Sequence, residues 1–108
     1  NKLSPLLDGV ISEKVNALGT VGAAVNIDLT QGSIVTATAV GATTWTVTGT
    51  PPAGYGTSFV LSLTNGGAGV QSFFAAPLGA SPALQAAGTD RLVFSWDGST
   101  WAYAKAGV

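Results

Sequence analysis

Cysteine, histidine and methionine are all absent from this 108-residue chain. Without cysteine there is no disulfide framework and no thiolate metal site. Without histidine the chain lacks the usual general base, the commonest metal ligand and the side chain that titrates near neutral pH. Charge is also scarce. Charged residues make up 8% of the chain, against about 25% in ordinary soluble domains. Between Thr20 and Thr89 the only charged side chain is Asp28. A net charge of −1 with no basic cluster argues against a nucleic-acid partner. Long apolar runs are missing too, because Thr, Ser, Gly or Asn interrupts them every few positions. No stretch approaches the roughly 20 apolar residues of a membrane helix.

What is present divides into two parts, an arm at residues 1–18 and a β domain at 19–108. The arm holds Lys2, Asp8, Glu13 and Lys14, four of the nine charges. Ser4-Pro5 reads as a helix start, with Ser as N-cap and Pro at the first helical position. Leu3, Leu7, Ile11, Val15 and Leu18 recur at three- and four-residue spacing, which predicts one apolar face of a short helical or extended assembly arm. Gly9 weakens a helix there by about 1 kcal/mol relative to Ala. The first residue is Asn rather than Met, which leads us to expect a fragment, a processed chain or a leader ahead of it.

From Gly19 the period becomes two. Val25, Ile27 and Leu29 alternate with Asn26 and Asp28, and residues 30–33 form a turn. Residues 34–40 are rich in β-branched side chains and predict a strand that Gly41-Ala42 breaks. Trp45 and Val47 then share one face, with Thr44, Thr46 and Thr48 on the other. The stretch from Gly49 to Gly56 contains Pro51-Pro52 and is a loop, since proline cannot donate to a ladder. Phe59, Leu61 and Leu63 mark a strand, and Asn65-Gly66-Gly67-Ala68-Gly69 a turn, before residues 70–74 return. Residues 75–89 read as a long loop with one short strand near Ala83-Leu84-Gln85. At the end, Leu92, Phe94 and Trp96 face Trp101 and Tyr103 across Asp97-Gly98, a strong hairpin signal. The fold class is therefore all-β, an antiparallel sandwich or jelly roll of six to eight short strands. Its expected core is Phe59, Leu61, Leu63, Leu92, Phe94 and Trp96, joined by Val25, Ile27 and Leu29.

Little in the pattern points to catalysis. Glycoside hydrolysis needs two facing carboxylates, but Asp8, Glu13, Asp28, Asp90 and Asp97 show no pairing in sequence. The glycine-rich run at 65–69 leads to a strand and lacks the Lys of a phosphate loop. The expectation is a non-enzymatic chain with no cofactor and no metal. Tyr55, Trp96, Trp101 and Tyr103 are the candidate glycan-stacking or interface aromatics.

The order of Ile27-Asp28-Leu29-Thr30-Gln31-Gly32, Thr43-Thr44-Trp45-Thr46-Val47, Ser58-Phe59-Val60-Leu61-Ser62-Leu63-Thr64-Asn65-Gly66-Gly67, Asp90-Arg91-Leu92-Val93-Phe94 and Asp97-Gly98-Ser99-Thr100-Trp101 resembles a β module of tailed-bacteriophage virion proteins. It covers about residues 18–104 and departs from the module at Ser72–Pro77, where a Trp-Pro pair is expected. The resemblance implies a virion location, a homotrimer and contacts with other capsid or tail proteins, as in a tail fibre, spike, head fibre or capsid decoration. A carbohydrate-binding module for host surface glycans is the alternative. The bare strand faces also favour a trimer, because closed symmetry would cover surfaces that lack charged guards.

Overall fold

A computed structural model describes residues 14–106, and the all-β expectation holds. The strands are β1 (Val15–Asp28), β2 (Ile34–Thr48), β3 (Thr57–Thr64), β4 (Gln71–Ser72), β5 (Ala76–Pro77), β6 (Thr89–Trp96) and β7 (Trp101–Lys105). They form one seven-stranded sheet in the order β1-β2-β3-β6-β7-β5, with β4 pairing β2. The pairing is mixed rather than antiparallel. β1 with β2, β2 with β3, β2 with β4 and β5 with β7 are parallel, while β3–β6 and β6–β7 are antiparallel.

The parallel pair β1–β2 sets the architecture. Val15 pairs with Ile34 and Asp28 with Thr48, yet only residues 29–33 join the two strands. A straight strand of that length would span about 43 Å. A five-residue link can bridge at most about 20 Å. The two facts are compatible only if each strand turns back on itself. β1 does so where its register slips, between Ala17 and Gly19 and between Val21 and Ala23. Gly19 and Ala23 have positive φ there, 73° and 60°. One circuit thus carries the chain from Val15 to Ile34, and a longer one from Ile34 to Val60. β1 and β2 are successive rungs of a short coil, each bent at a corner into two limbs, and β3 stacks on the first limb of β2.

Close backbone approach holds the rungs together. A Cβ on Gly32 would lie 2.3 Å from the carbonyl oxygen of Lys14, where the end of the first circuit meets its start. A Cβ on Gly69 would lie 2.3 Å from the Ala42 nitrogen, where one corner stacks on the next. Gln71 ties this corner together. Its amide donates to the carbonyls of Gly41 and Gly69 at 3.0 and 3.3 Å, and its Oε1 accepts from Trp45 Nε1 at 2.8 Å.

The core lies between the limbs. Val35, Leu61, Leu63, Leu92 and Phe94 fill it from the first limb, and Ile27 and Trp45 from the second. Phe59, Phe94 and Tyr103 stand in one cross-strand row of β3, β6 and β7 and stack at 4.9 and 5.1 Å. Phe73 bridges the limbs, touching Trp45 at 5.7 Å and Phe94 at 5.3 Å.

Several expectations change here. The helical arm is not found where the described residues reach it. Val15 and Leu18 belong to β1, because the rung pairing with β2 satisfies their backbone along a ladder. Val15 is 51% exposed, and Leu18 packs against the core from beside the first register slip. Leu3, Leu7 and Ile11 lie outside the described residues. The sandwich arises from one folded sheet rather than two. Gly41-Ala42 is the corner of a continuous strand, and Leu29 falls in a 3-10 turn (Leu29–Gln31) while still packing on the core. Ala83–Gln85 forms no strand, and the short strand of that region is β5. The hairpin and the five expected core residues from Phe59 to Phe94 stand, whereas Trp96 is only half buried.

Leu61 is fully buried, so Leu61→Ala is expected to cost about 2–5 kcal/mol in urea denaturation. Ala23 sits in the left-handed region at the bend, so Ala23→Gly is expected to stabilise by about 1 kcal/mol. Destabilisation by Ala23→Gly would contradict the corner.

Candidate functional site

The candidate aromatics separate into surface and core. Tyr103 is buried in the ring row, and burial raises its phenol above the ordinary value of 10.0. Trp96 and Trp101 form a cross-strand pair at 5.7 Å on either side of the hairpin turn. Trp101 packs edge-on against Phe59 and Phe74, at 5.6 and 5.4 Å. Trp96 Nε1 is buried with no hydrogen-bond partner among the described residues. Tyr55 is 68% exposed on the loop between β2 and β3.

That loop docks on the hairpin. Gly54 N–H donates to the Gly98 carbonyl at 3.1 Å, and a Cβ on Gly56 would lie 3.1 Å from the Trp96 carbonyl oxygen. Tyr55, between them, is therefore carried to the end of the molecule that holds the tryptophan pair. One exposed ring beside two half-buried ones is the extent of the aromatic surface there.

The three described aspartates each serve the backbone. Asp28 accepts from the Thr30 hydroxyl at 2.7 Å and from Thr30 N–H at 3.0 Å, which caps the 3-10 turn and lowers its pKa. Asp97 accepts from the N–H groups of Thr100 and Ser99 at 2.8 and 2.9 Å, closing the hairpin turn, and these bonds lower its pKa. Asp90 is buried on the core face of β6. Its oxygens accept from Gln85 N–H at 2.7 Å and Gln85 Nε2 at 3.1 Å, and Lys105 Nζ lies 3.4 Å away. Lys105 also donates to the Ala83 carbonyl at 3.2 Å, and Gly67 N–H donates to the Gln85 carbonyl at 2.9 Å. Asp90 thus clamps the long loop against the sheet.

The outer face of the first limb is a different kind of surface. Val15, Ile34, Val60, Val93 and Ala104 are mutual register partners across β1, β2, β3, β6 and β7. Val60 and Val93 stand between buried neighbours, Ile34 and Ala104 each beside one, and Val15 is 51% exposed, so the row lies on the outer face. They make an apolar row across five strands, flanked by Thr36, Ser62 and Arg91 on one side and Ser58, Ser95 and Ala102 on the other. Shallow depressions over β2 and β3 are lined by Ile34, Ser58, Val60, Ser62 and Arg91, and by Thr36, Thr38 and Thr64. The outer face of the second limb is polar. There the Asn26 amide joins Thr46 and Thr48, with bonds of 2.9 and 3.0 Å.

Sequence reading found the aromatic end but not the row. The row depends on parallel register, which alternation within a single strand does not specify. Phe73-Phe74 was also missed, although two adjacent Phe residues in a run of small side chains were the available signal. Among the described residues no group of three or more Asp or Glu comes together, and no helix is long and apolar enough to cross a membrane. Comparison with protein-family models, curated proteins and solved structures found no match to the chain.

The Asp90 clamp generates a pH dependence. Burial pushes this carboxyl up, but hydrogen bonds from Gln85 and the charge of Lys105 outweigh it and hold the pKa below the ordinary 3.8. A carboxylate with a lowered folded pKa stabilises fully above its unfolded pKa, and the stabilisation fades as pH falls through the folded value. Asp90→Ala is therefore expected to cost about 2–3 kcal/mol at neutral pH. The gap in Tm between wild type and variant should narrow below about pH 4. A gap that stays constant down to the lowest pH at which the protein remains folded would contradict the clamp.

Proposed function

We propose that the chain is a non-enzymatic structural module of a tailed-phage virion, working as a homotrimer in a tail fibre, spike or head decoration. The observation that carries the assembly role is the outer face of the first limb. Five strands present a transverse apolar row set among Ser, Thr and Ala, with Arg91 the one charge among the outward-pointing strand residues described there. A free sheet surface normally carries Lys or Glu that block association. A closed oligomer covers such a surface in every copy and leaves no sticky remainder. The resemblance of the strand and turn order to phage modules supplies the virion setting and the other virion proteins as partners. The roles of Asp28, Asp90 and Asp97 fit this reading, since each binds its own backbone or a neighbouring loop rather than facing a cleft.

The second reading, attachment to host glycans, rests on Tyr55. It is exposed and carried beside the Trp96–Trp101 pair, where a sugar ring could stack. In this reading the trimer presents its aromatic ends and the two roles coexist.

Sedimentation equilibrium is expected to give a trimer whose Tm rises with protein concentration. A monomer at all accessible concentrations would overturn the assembly role. On a glycan array, binding that Tyr55→Ala and Trp101→Ala both abolish would establish attachment. An array silent with the intact protein would leave the structural role alone.

A further inference from the structure

We propose that Asn65-Gly66 is a latent modification site, a deamidating pair that the loop between β5 and β6 keeps closed while seated, and whose reaction leaves that loop unable to reseat. The chemistry belongs to the pair. Asn65 is the one Asn in the chain that is followed by Gly. The Gly66 nitrogen carries no side chain beside it to hinder attack on the Asn65 side-chain carbonyl carbon. The new C–N bond closes a succinimide ring, and the side-chain nitrogen takes up the attacking proton and leaves as ammonia. Water then opens the ring at either carbonyl, giving aspartate or isoaspartate at position 65.

The fold calls for both residues of the pair. Asn65 lies in the left-handed region at φ 60°, which Asn tolerates better than most side chains. Gly66 is buried, and a Cβ there would lie 2.7 Å from Leu63 Cδ2 and 3.1 Å from Leu84 Cδ1. The same fold blocks the reaction. Asn65 has ψ 31°, which turns the Gly66 nitrogen away from the side-chain carbonyl. Asn65 N–H donates to the Gly88 carbonyl at 2.7 Å, and its Oδ1 accepts from Gly88 N–H at 3.0 Å. Its own carbonyl accepts from Ala68 N–H at 3.0 Å. Rotation toward the reactive geometry breaks this clasp. Gly88 lies between Gln85 and Asp90, the two partners of the buried clamp. Ring closure therefore needs the junction to open, and its rate follows the open population. The isoaspartate product cannot close again. It adds one carbon to the main chain, and a Cβ on Gly67 would already lie 2.3 Å from the Leu84 carbonyl oxygen and 2.8 Å from the Ala86 nitrogen. The turn has no room for the added atom.

The test incubates the full chain in mildly alkaline buffer, folded and in urea, with D90A beside it, and follows deamidation of the Asn65 peptide by mass spectrometry. The folded wild type is expected to deamidate at least about a hundredfold more slowly than the unfolded chain. D90A, shown to be folded by circular dichroism, is expected to deamidate about tenfold faster than the folded wild type. Equal rates in the folded and unfolded wild type would overturn the proposal. A folded D90A that deamidates at the wild-type rate would overturn the loop's part in it. Should D90A fail to fold, hydrogen exchange on the wild type decides. The Asn65 and Gly88 amides are expected to be protected together, and exchange of either at the rate of a free amide would overturn the clasp. The isoaspartate form, separated by chromatography, is expected to keep its β spectrum and to lose protection at Gly88. Protection retained there would overturn the one-way step.

Discussion

The architecture depends on one constraint. Two parallel strands of fourteen and fifteen residues are joined by a link too short to bring a straight strand back to its start. Parallel pairs ordinarily need a crossover of a dozen or more residues. Here the strands make the return journey themselves, by bending at Gly19–Ala23 in β1 and at Val40–Ala42 in β2. Straight, β1 would be as long as the whole molecule, whose longest dimension is 41 Å. Once the rungs bend, the two limbs enclose a core that neither could bury alone.

The bend then determines where large side chains are needed. The junction between circuits and the stacked corner demand small residues, because backbones meet there at distances a Cβ would not tolerate, at Gly32 and Gly69 respectively. The volume those positions forgo is concentrated in the aromatic row Phe59–Phe94–Tyr103 and in Phe73 and Phe74, which pack on it. The antiparallel half, β3–β6–β7, supplies that row and closes the coil at one side. The loop between β5 and β6 is held down by one buried carboxylate rather than by apolar packing alone. Polar groups thus serve turns, corners and the clamp, while the outer face of the first limb sets its apolar row among Ser and Thr.

Much of this was legible in the sequence. Period-two alternation placed Leu61, Leu63, Leu92 and Phe94 inward, and they are fully buried. Asp97-Gly98 marked the hairpin, whose turn Asp97 closes with its own carboxylate. Alternation shows which face a residue takes but not which strand lies beside it. Residues 30–33 therefore read as a turn in an antiparallel fold, although the strands they join are parallel. The three-residue spacing of Val15 and Leu18 also matched one face of a helix, but in β1 ordinary alternation puts them on opposite faces, Val15 outward and Leu18 on the core. Of the four candidate aromatics, alternation assigned Tyr103 to the same face as Trp101. Only packing distinguishes the buried phenol from its half-buried neighbour.

The coil itself is tested most directly by contacts between backbone protons in an isotope-labelled sample. Parallel rungs require Asn16 to lie beside Val35 and Ile27 beside Val47, at the same time and in the slanted pattern of a parallel ladder. Both sets of nuclear Overhauser contacts are the expected result. An antiparallel set folding back across residues 29–33, with Asp28 opposite Ile34 and no contact between Asn16 and Val35, would contradict it.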